Sequence, residues 1–417
     1  MLNELNISIN IDRLWERHNI FAKFGQISKT GVNRQALSDE EIQARKQIIE
    51  WANQINLEIS TDKAANIFFK LPGFDNNKPV VMTGSHIDSQ PTGGKYDGVL
   101  GVLAGLEVLE TIVENKIKIS SPIEVVNWMN EEGSRFAPGM MGSAVFSGVR
   151  KLNDILDIED SNGVSVSTEI QKMNNKIPDI KIIECGQKIK SFIEFHIEQG
   201  PVLEDNNKQI GIVTGMQGKK TYSIEIIGKE DHVGTTPKSL RKDALLCAVN
   251  VLNKLYDILT DKNDTTRFSV GKLVVSPNAP SVVPSKVIFN IDLRHPENSK
   301  LKELDEIIKS TILKNSKPCN AKIFSLVNDD SVIFPEQMVK LIEKNTKKLG
   351  FPFMRINSGA GHDSKHIDKI APSGMIFIPC KKGVSHHPDE NVKKDDMFKG
   401  TMVLAETLIE LANSNYN

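Results

Sequence analysis

Imidazole and carboxylate side chains stand at four places just past apolar runs of strand length. His86, Asp88 and Asp97 follow the run through Thr83, and Glu131 and Glu132 follow residues 123–129. His196 closes residues 191–197, and His386 lies in Gly383-Val384-Ser385-His386-His387-Pro388-Asp389-Glu390. Nitrogen and oxygen donors without thiolates suit zinc and its neighbours manganese, cobalt and nickel. The count fits two divalent ions. With Asp97 shared, His86 and His196 complete the shell of one ion, and Glu132 and His386 that of the other. Two dications less two carboxylates and one hydroxide leave a single positive charge, which favours an anionic tetrahedral intermediate. Asp88, two residues beyond His86, can hold the imidazole tautomer. Glu131 adjoins a ligand and is free to take the proton of an attacking water. Spacing alone leaves His386 and His387 as alternatives. Any one of these residues by itself is more often structural; their joint occurrence at successive strand ends carries the reading.

Open α/β sheets bind ligands outside the carboxyl ends of their strands, so the donors need such a sheet behind them. Helical spacing predicts a helix over 11–23, and the capping box Ser38-Asp39-Glu40-Glu41 opens a second. Strands are predicted at 66–71, 79–83, 123–129 and 191–197. Between the second and third lies an apolar helix, 98–114, whose small residues Gly101, Ala104 and Gly105 would let it lie close to a sheet. Glu198-Gln199-Gly200-Pro201 breaks the fourth strand and should start a helix. This alternation argues a doubly wound α/β domain. From residue 212 the order becomes strand 221–227, helix 237–259, strands 268–275 and 287–293, helix 301–313 and strand 321–327, the βαββαβ order of a ferredoxin-like unit. A helix at 335–349, strands at 353–357 and 375–379 and a helix at 394–413 return to the first pattern. The expected organisation is a catalytic domain of 1–211 and 331–417, interrupted by a domain of 212–330.

At 417 residues and a formal net charge of -1, nothing favours nucleic acid or an anionic membrane as a partner. The four cysteines, Cys185, Cys247, Cys319 and Cys380, share no ligand spacing and are expected as free buried thiols in a reducing compartment. Met1–Asn6 carries no basic, apolar leader. No uninterrupted apolar run reaches the ~18 residues of a membrane span. A soluble, cytoplasmic protein is expected.

Several stretches together resemble one family, the amidase/hydantoinase/carbamoylase group of di-metal, aminoacylase-like amidohydrolases. They are Gly84-Ser85-His86-Ile87-Asp88-Ser89, Gly94-Lys95-Tyr96-Asp97-Gly98, Asn130-Glu131-Glu132-Gly133-Ser134-Arg135-Phe136, Phe195-His196-Ile197-Glu198-Gln199-Gly200-Pro201, His232-Val233-Gly234-Thr235-Thr236-Pro237, Asp292-Leu293-Arg294-His295-Pro296, Ser358-Gly359-Ala360-Gly361-His362-Asp363 and Ser385-His386-His387-Pro388. They run in family order over most of the chain. The resemblance implies a zinc-exopeptidase-like mixed α/β catalytic domain with a ferredoxin-like insert that acts as a lid and makes a homodimer. It implies two divalent ions per subunit, zinc foremost, held by His86, Asp97, Glu132, His196 and His386, with Glu131 as general base. His386 is favoured over His387, and a cis peptide is expected after Asp97. His232 is implied to polarise the scissile carbonyl or its oxyanion, in its own or the partner's site. Gln199, Gln217, Asn278, Gly359 and Ala360 match positions that touch ureido or carboxylate groups. His362 and Asp363 would stand behind the ligands. Arg294, at a strand end of the insert, suits a bidentate clamp on an α-carboxylate. The implied reaction is hydrolysis of the carbamoyl (ureido) C–N bond of an N-carbamoyl-L-amino acid. Gly139-Met140-Met141-Gly142-Ser143 resembles those enzymes more than the allantoate amidohydrolases, which are the alternative, with β-ureidopropionase third. A metallo-aminopeptidase or dipeptidase is less favoured, because the peptidase relatives tend to carry a carboxylate where His196 stands.

Overall fold

The computed structural model describes residues 8–414, so the leader reading of Met1–Asn6 falls outside the described residues. Two compact units emerge. One comprises residues up to Thr214 and from Phe334 onward; the other is Gly215–Ile333. No helix among the described residues is long and apolar enough to cross a membrane.

The first unit is built on a mixed sheet. Its centre is four parallel strands in the order Ser373–Ile378, Ile189–Ile197, Val80–His86, Ile123–Trp128. Antiparallel strands flank them, Ile210–Met216 on one side and Ile67–Leu71 followed by Glu58–Asp62 on the other. Val80–His86, Ile123–Trp128 and Ser373–Ile378 are buried along their whole length, as expected of parallel strands covered on both faces. Alternation assigns the covers. Met82, Val126, Trp128 and Phe192 pack with Phe146 and Ile367 on one face. Thr83, Ser85 and Val125 meet the helix Val99–Glu114 on the other. That helix sits close because two of its residues lack a Cβ. One added at Gly101 would lie 2.5 Å from the Phe195 carbonyl oxygen, and one at Gly105 2.9 Å from Val125.

Local chemistry sets the ends of these elements. Ser38 caps Asp39–Gln54 by accepting from the Glu41 amide. The Glu198 carboxylate accepts from the Val202 and Leu203 amides at 2.7 and 2.9 Å and starts the short turn of helix predicted there. The polar stretch after residue 150 holds a helix, Val166–Lys176, capped by Ser165.

The second unit is ferredoxin-like. Its antiparallel sheet runs Arg267–Ser276, Lys286–His295, Gly218–Ile227, Asn320–Asp329. Tyr222, Ile224, Phe289 and Ile291 pack against Val251, Leu255 and Ile308 of the helices Ala244–Leu259 and Asn298–Asn315. The first of these helices starts later than the expected residue 237. Asp243 caps it by accepting from Leu245 and Leu246, and residues 238–240 make only a separate 3-10 turn. Two cysteines far apart in sequence share this core, Cys247 and Cys319, with the Cys247 thiol donating to the Lys317 carbonyl at 3.5 Å. Cys185 is half-buried, where burial was expected.

Candidate metal centre

The carboxyl ends of the four parallel strands bring the donors together. His86 is the last residue of its strand and His196 the penultimate one. Glu131 and Glu132 follow Ile123–Trp128, and the chain after Ser373–Ile378 turns back to deliver His386. Non-glycine residues are in the left-handed region at three of these turns: Asn130 (φ 54), Gln199 (φ 58) and His386 (φ 53). Such conformations cost of order 1 kcal/mol or more each and persist where the surroundings fix them.

Asp97 is the hub. Its Oδ1 lies 3.1 Å from His196 Nε2 and 3.6 Å from His86 Nε2, and its Oδ2 lies 3.2 Å from His386 Nε2. His386 Nε2 is also 3.4 Å from Glu132 Oε2. Two donor groups result, His86–Asp97–His196 and Asp97–Glu132–His386, each compact enough to hold one ion. The imidazoles are presented in the right tautomer. His86 Nδ1 is 3.0 Å from the Asp88 carbonyl and His196 Nδ1 2.9 Å from that of Ile197. A carbonyl only accepts, so each Nδ1 carries the proton and each Nε2 offers its lone pair inward. His387 instead turns outward, its Nδ1 accepting from the Asp389 amide.

Asp88 ties the parts together by accepting from the Glu131 and Glu132 amides, both at 3.1 Å. Glu131 Oε2 reaches to 3.5 Å from His86 Nε2. Burial pushes the Glu131 carboxyl well above its ordinary pKa, relieved in part by His86 and reinforced by Asp363 and Glu132. Burial and Asp97 push Glu132 up to about 7. Burial opposes a charge on His86, but Glu131, Asp88 and Asp97 outweigh it and raise its pKa. Burial would also raise Asp97, yet the imidazoles of His196, His386 and His86 beside it hold it far below the carboxylate range. So many acids packed around inward imidazole lone pairs fit a divalent cation, which would compensate the carboxylates.

Gly98 keeps this arrangement open. At φ 67, a Cβ there would stand 2.4 Å from Cε1 and Nε2 of His86. The peptide after Asp97 is trans, against expectation. The cis bonds among the described residues all precede proline: Pro138, Pro277 and Pro318. The Gly98 backbone takes the bend instead, its N–H pointing to His196 Nε2 at 3.1 Å.

Of the substrate positions read from sequence, Gln199 donates to Asp97 Oδ2 at 2.8 Å. Gly359 and Ala360 follow the strand Phe353–Ser358. Their turn is tied by Ser358 to His362, whose ring packs edge-on against His196 at 4.6 Å. Asp363 accepts from Ser143. Gln217, His232, Asn278 and Arg294 belong to the second unit. There His232 is exposed, with Nδ1 accepting from the Gly234 amide, and Arg294 Nε donates to Asp292 at 2.9 Å.

Sequence reasoning passed over Glu390. This buried acid accepts from the Tyr96 and Asp97 amides at 2.8 and 3.0 Å and from Ser385 at 3.0 Å, joining the Asp97 loop to the His386 loop. The signal was available, an acid four residues after a candidate ligand.

The chain belongs to the peptidase family M20/M25/M40, whose model matches residues 82–410. Within it, the chain is 37% identical to an N-carbamoyl-L-amino-acid amidohydrolase of Rhizobium meliloti over 98% of each chain. It is 31% identical to an allantoate amidohydrolase of Bacillus subtilis, covering 94% of this chain and 95% of that one. Among solved structures, an amidase of the hydantoinase/carbamoylase family from Burkholderia multivorans superposes with a TM-score of 0.93 at 36% identity, over 98% of this chain and 99% of that one. An aminopeptidase from Bacillus cereus, 16% identical with a TM-score of 0.69 over 97% of this chain and 100% of that one, shares the fold. The mixed α/β architecture is thus the zinc-exopeptidase-like one, and the chain is similar over nearly its whole length to amidohydrolases named for N-carbamoyl-L-amino acids and allantoate.

Proposed function

We propose that this protein hydrolyses the carbamoyl (ureido) C–N bond of N-carbamoyl-L-amino acids, giving the L-amino acid, ammonia and carbon dioxide. The observation that carries the reading is the pair of donor groups sharing Asp97, with the Glu131 carboxylate beside them. His86, Asp97 and His196 would hold one divalent ion, and Asp97, Glu132 and His386 a second, with zinc first among zinc, manganese, cobalt and nickel. Such ions supply Lewis acidity and a water that ionises near neutral pH.

Glu131 takes the proton of the water that attacks the ureido carbon, then passes it to the departing amino nitrogen as that C–N bond breaks. The carbamate released decays to ammonia and carbon dioxide. Asp88 fixes the backbone of Glu131 and Glu132. Gln199, Gly359 and Ala360 line the substrate's place in the first unit. We assign Gln217, Asn278, Arg294 and His232 of the second unit to substrate as well, Arg294 to a carboxylate and His232 to the developing oxyanion. The same unit is proposed as a lid and as the contact of a homodimer, and the enzyme as cytoplasmic.

Allantoate is the second reading, favoured by the 31% identity to the Bacillus subtilis enzyme. Ammonia release from a panel of N-carbamoyl-L-amino acids, allantoate and dipeptides separates the readings. Turnover of the carbamoyl compounds above allantoate is expected. Cleavage of dipeptides with no ammonia from any ureido compound would refute the proposal. Glu131→Gln should retain metal while losing about 10²–10⁴-fold in kcat; full activity rejects Glu131 as the base.

A further inference from the structure

Residue 34 lies well before the segment matched by the family model, residues 82–410, and has no part in the chemistry described above. It is nevertheless an arginine with no exposed surface. Its guanidinium Nε donates to the Ile87 carbonyl at 2.7 Å, and Nη1 donates to the carbonyls of Phe24 and Phe21 at 2.9 and 3.2 Å. The group also stacks on the Phe21 ring at 4.6 Å. The backbone of the same residue grips Ser89 twice. Its N–H donates to Ser89 Oγ at 2.9 Å, and its carbonyl accepts from the Ser89 amide at 2.9 Å.

The residues it holds, Ile87 and Ser89, are the two neighbours of Asp88. Asp88 in turn accepts from the amides of Glu131 and Glu132, and its carbonyl fixes the His86 tautomer. One fixed fork of donors therefore sets the loop that reaches a ligand in each donor group and the proposed base. Three backbone bonds extend the grip: Val32 exchanges two with Gly93 (3.0 and 2.9 Å), and the Ile27 amide bonds the Gly31 carbonyl beneath (3.0 Å).

We propose that Arg34 is a positioning residue of the metal centre, holding the Ile87–Ser89 loop so that His86, Glu131 and Glu132 converge. A long cation alone does not do this. Lysine keeps the charge but has no planar fork to span Ile87, Phe21 and Phe24 together. Partners behind metal ligands typically set 10–100-fold in metal affinity.

The inference rests on the metal-centre reading, so the test first asks whether the metal-stripped wild type binds Zn2+, by competition with a chromophoric chelator. No binding there refutes the metal centre itself. Given binding, Arg34→Lys should weaken Zn2+ affinity about 10–100-fold. The comparison is Arg45→Lys, another buried arginine, whose partners are Glu41, the Ala65 carbonyl and Met173 Sδ. It should lower thermal stability and leave Zn2+ affinity unchanged. Ser89→Ala removes the acceptor of the Arg34 amide, together with the Oγ bonds to the Gln90 and Val32 carbonyls, leaves the guanidinium bonds in place, and serves should Arg34→Lys not fold. It is expected to weaken Zn2+ binding several-fold. Zn2+ affinity at the wild-type value in folded Arg34→Lys, or in Ser89→Ala where Arg34→Lys does not fold, overturns the proposal. So does an equal loss in Arg45→Lys.

Discussion

Gly98→Ala adds one methyl group at the point where the account is most sensitive to position. The added Cβ would stand 2.4 Å from Cε1 and Nε2 of His86 and 2.5 Å from its Cδ2. Unstrained carbon contacts begin near 3.5 Å, so the imidazole must retreat by about 1 Å. Metal–ligand distances tolerate only about 0.2 Å. The backbone adds its own cost, since φ 67 and ψ -48 at this residue are strained for any residue with a Cβ, by roughly 1–3 kcal/mol. Overpacking costs a further 1–3 kcal/mol or so. A fold with so large a buried core should survive that total, whereas the site should not. Zn2+ affinity is expected to fall at least about 100-fold, since even partners behind the ligands set 10–100-fold. Turnover at saturating metal should fall by a similar factor through misplacement alone. Chelator competition and steady-state ammonia release measure the two, with circular dichroism reporting the fold. A folded Gly98→Ala protein with wild-type Zn2+ affinity and turnover would refute the placement of His86 as a ligand.

Glu390→Ala should loosen both loops that meet at Asp97, because three donors lose their acceptor. Zn2+ affinity should fall about 10–100-fold, with Glu390→Gln, which keeps an acceptor oxygen, recovering part of it in the same titration. Glu124 predicts a pH dependence of stability away from the site. Burial raises its pKa from the ordinary 4.5 to about 7, opposed by a hydrogen bond from Gln187. The folded state therefore keeps a proton that the unfolded state has lost, so this group's contribution declines as pH rises from about 4.5 to 7. The full cost is of order 3 kcal/mol. Glu124→Gln should accordingly be more stable than wild type at pH 8 and nearly equal to it at pH 4.5 in urea unfolding; an equal difference at both values contradicts the assignment.

The strand ends were readable from sequence because three of the parallel strands, Val80–His86, Ile123–Trp128 and Ile189–Ile197, are mostly apolar and end at or just before His or acid, whereas His386 lies further on from the fourth, Ser373–Ile378. The helix Val99–Glu114 was readable for the same reason, with its small face stated by Gly101 and Gly105. Residues whose partners are distant in the chain were not. Arg34 reaches Ile87 across 53 positions and Glu390 reaches Asp97 across 293, and no local pattern records either contact. The choice between His386 and His387 likewise depends on which ring the turn at φ 53 aims inward. The helix start at 237 was misread because Pro237 resembles a first-turn residue, while Asp243 supplies the cap that decides it.

Anomalous diffraction from crystals of the Zn2+-loaded protein, collected on either side of the zinc edge, tests the central claim most directly. Two peaks about 3.5–4 Å apart are expected, both touching the Asp97 carboxylate, one completed by His86 and His196 and the other by Glu132 and His386. A lone peak, or peaks that leave Asp97 untouched, would contradict the account.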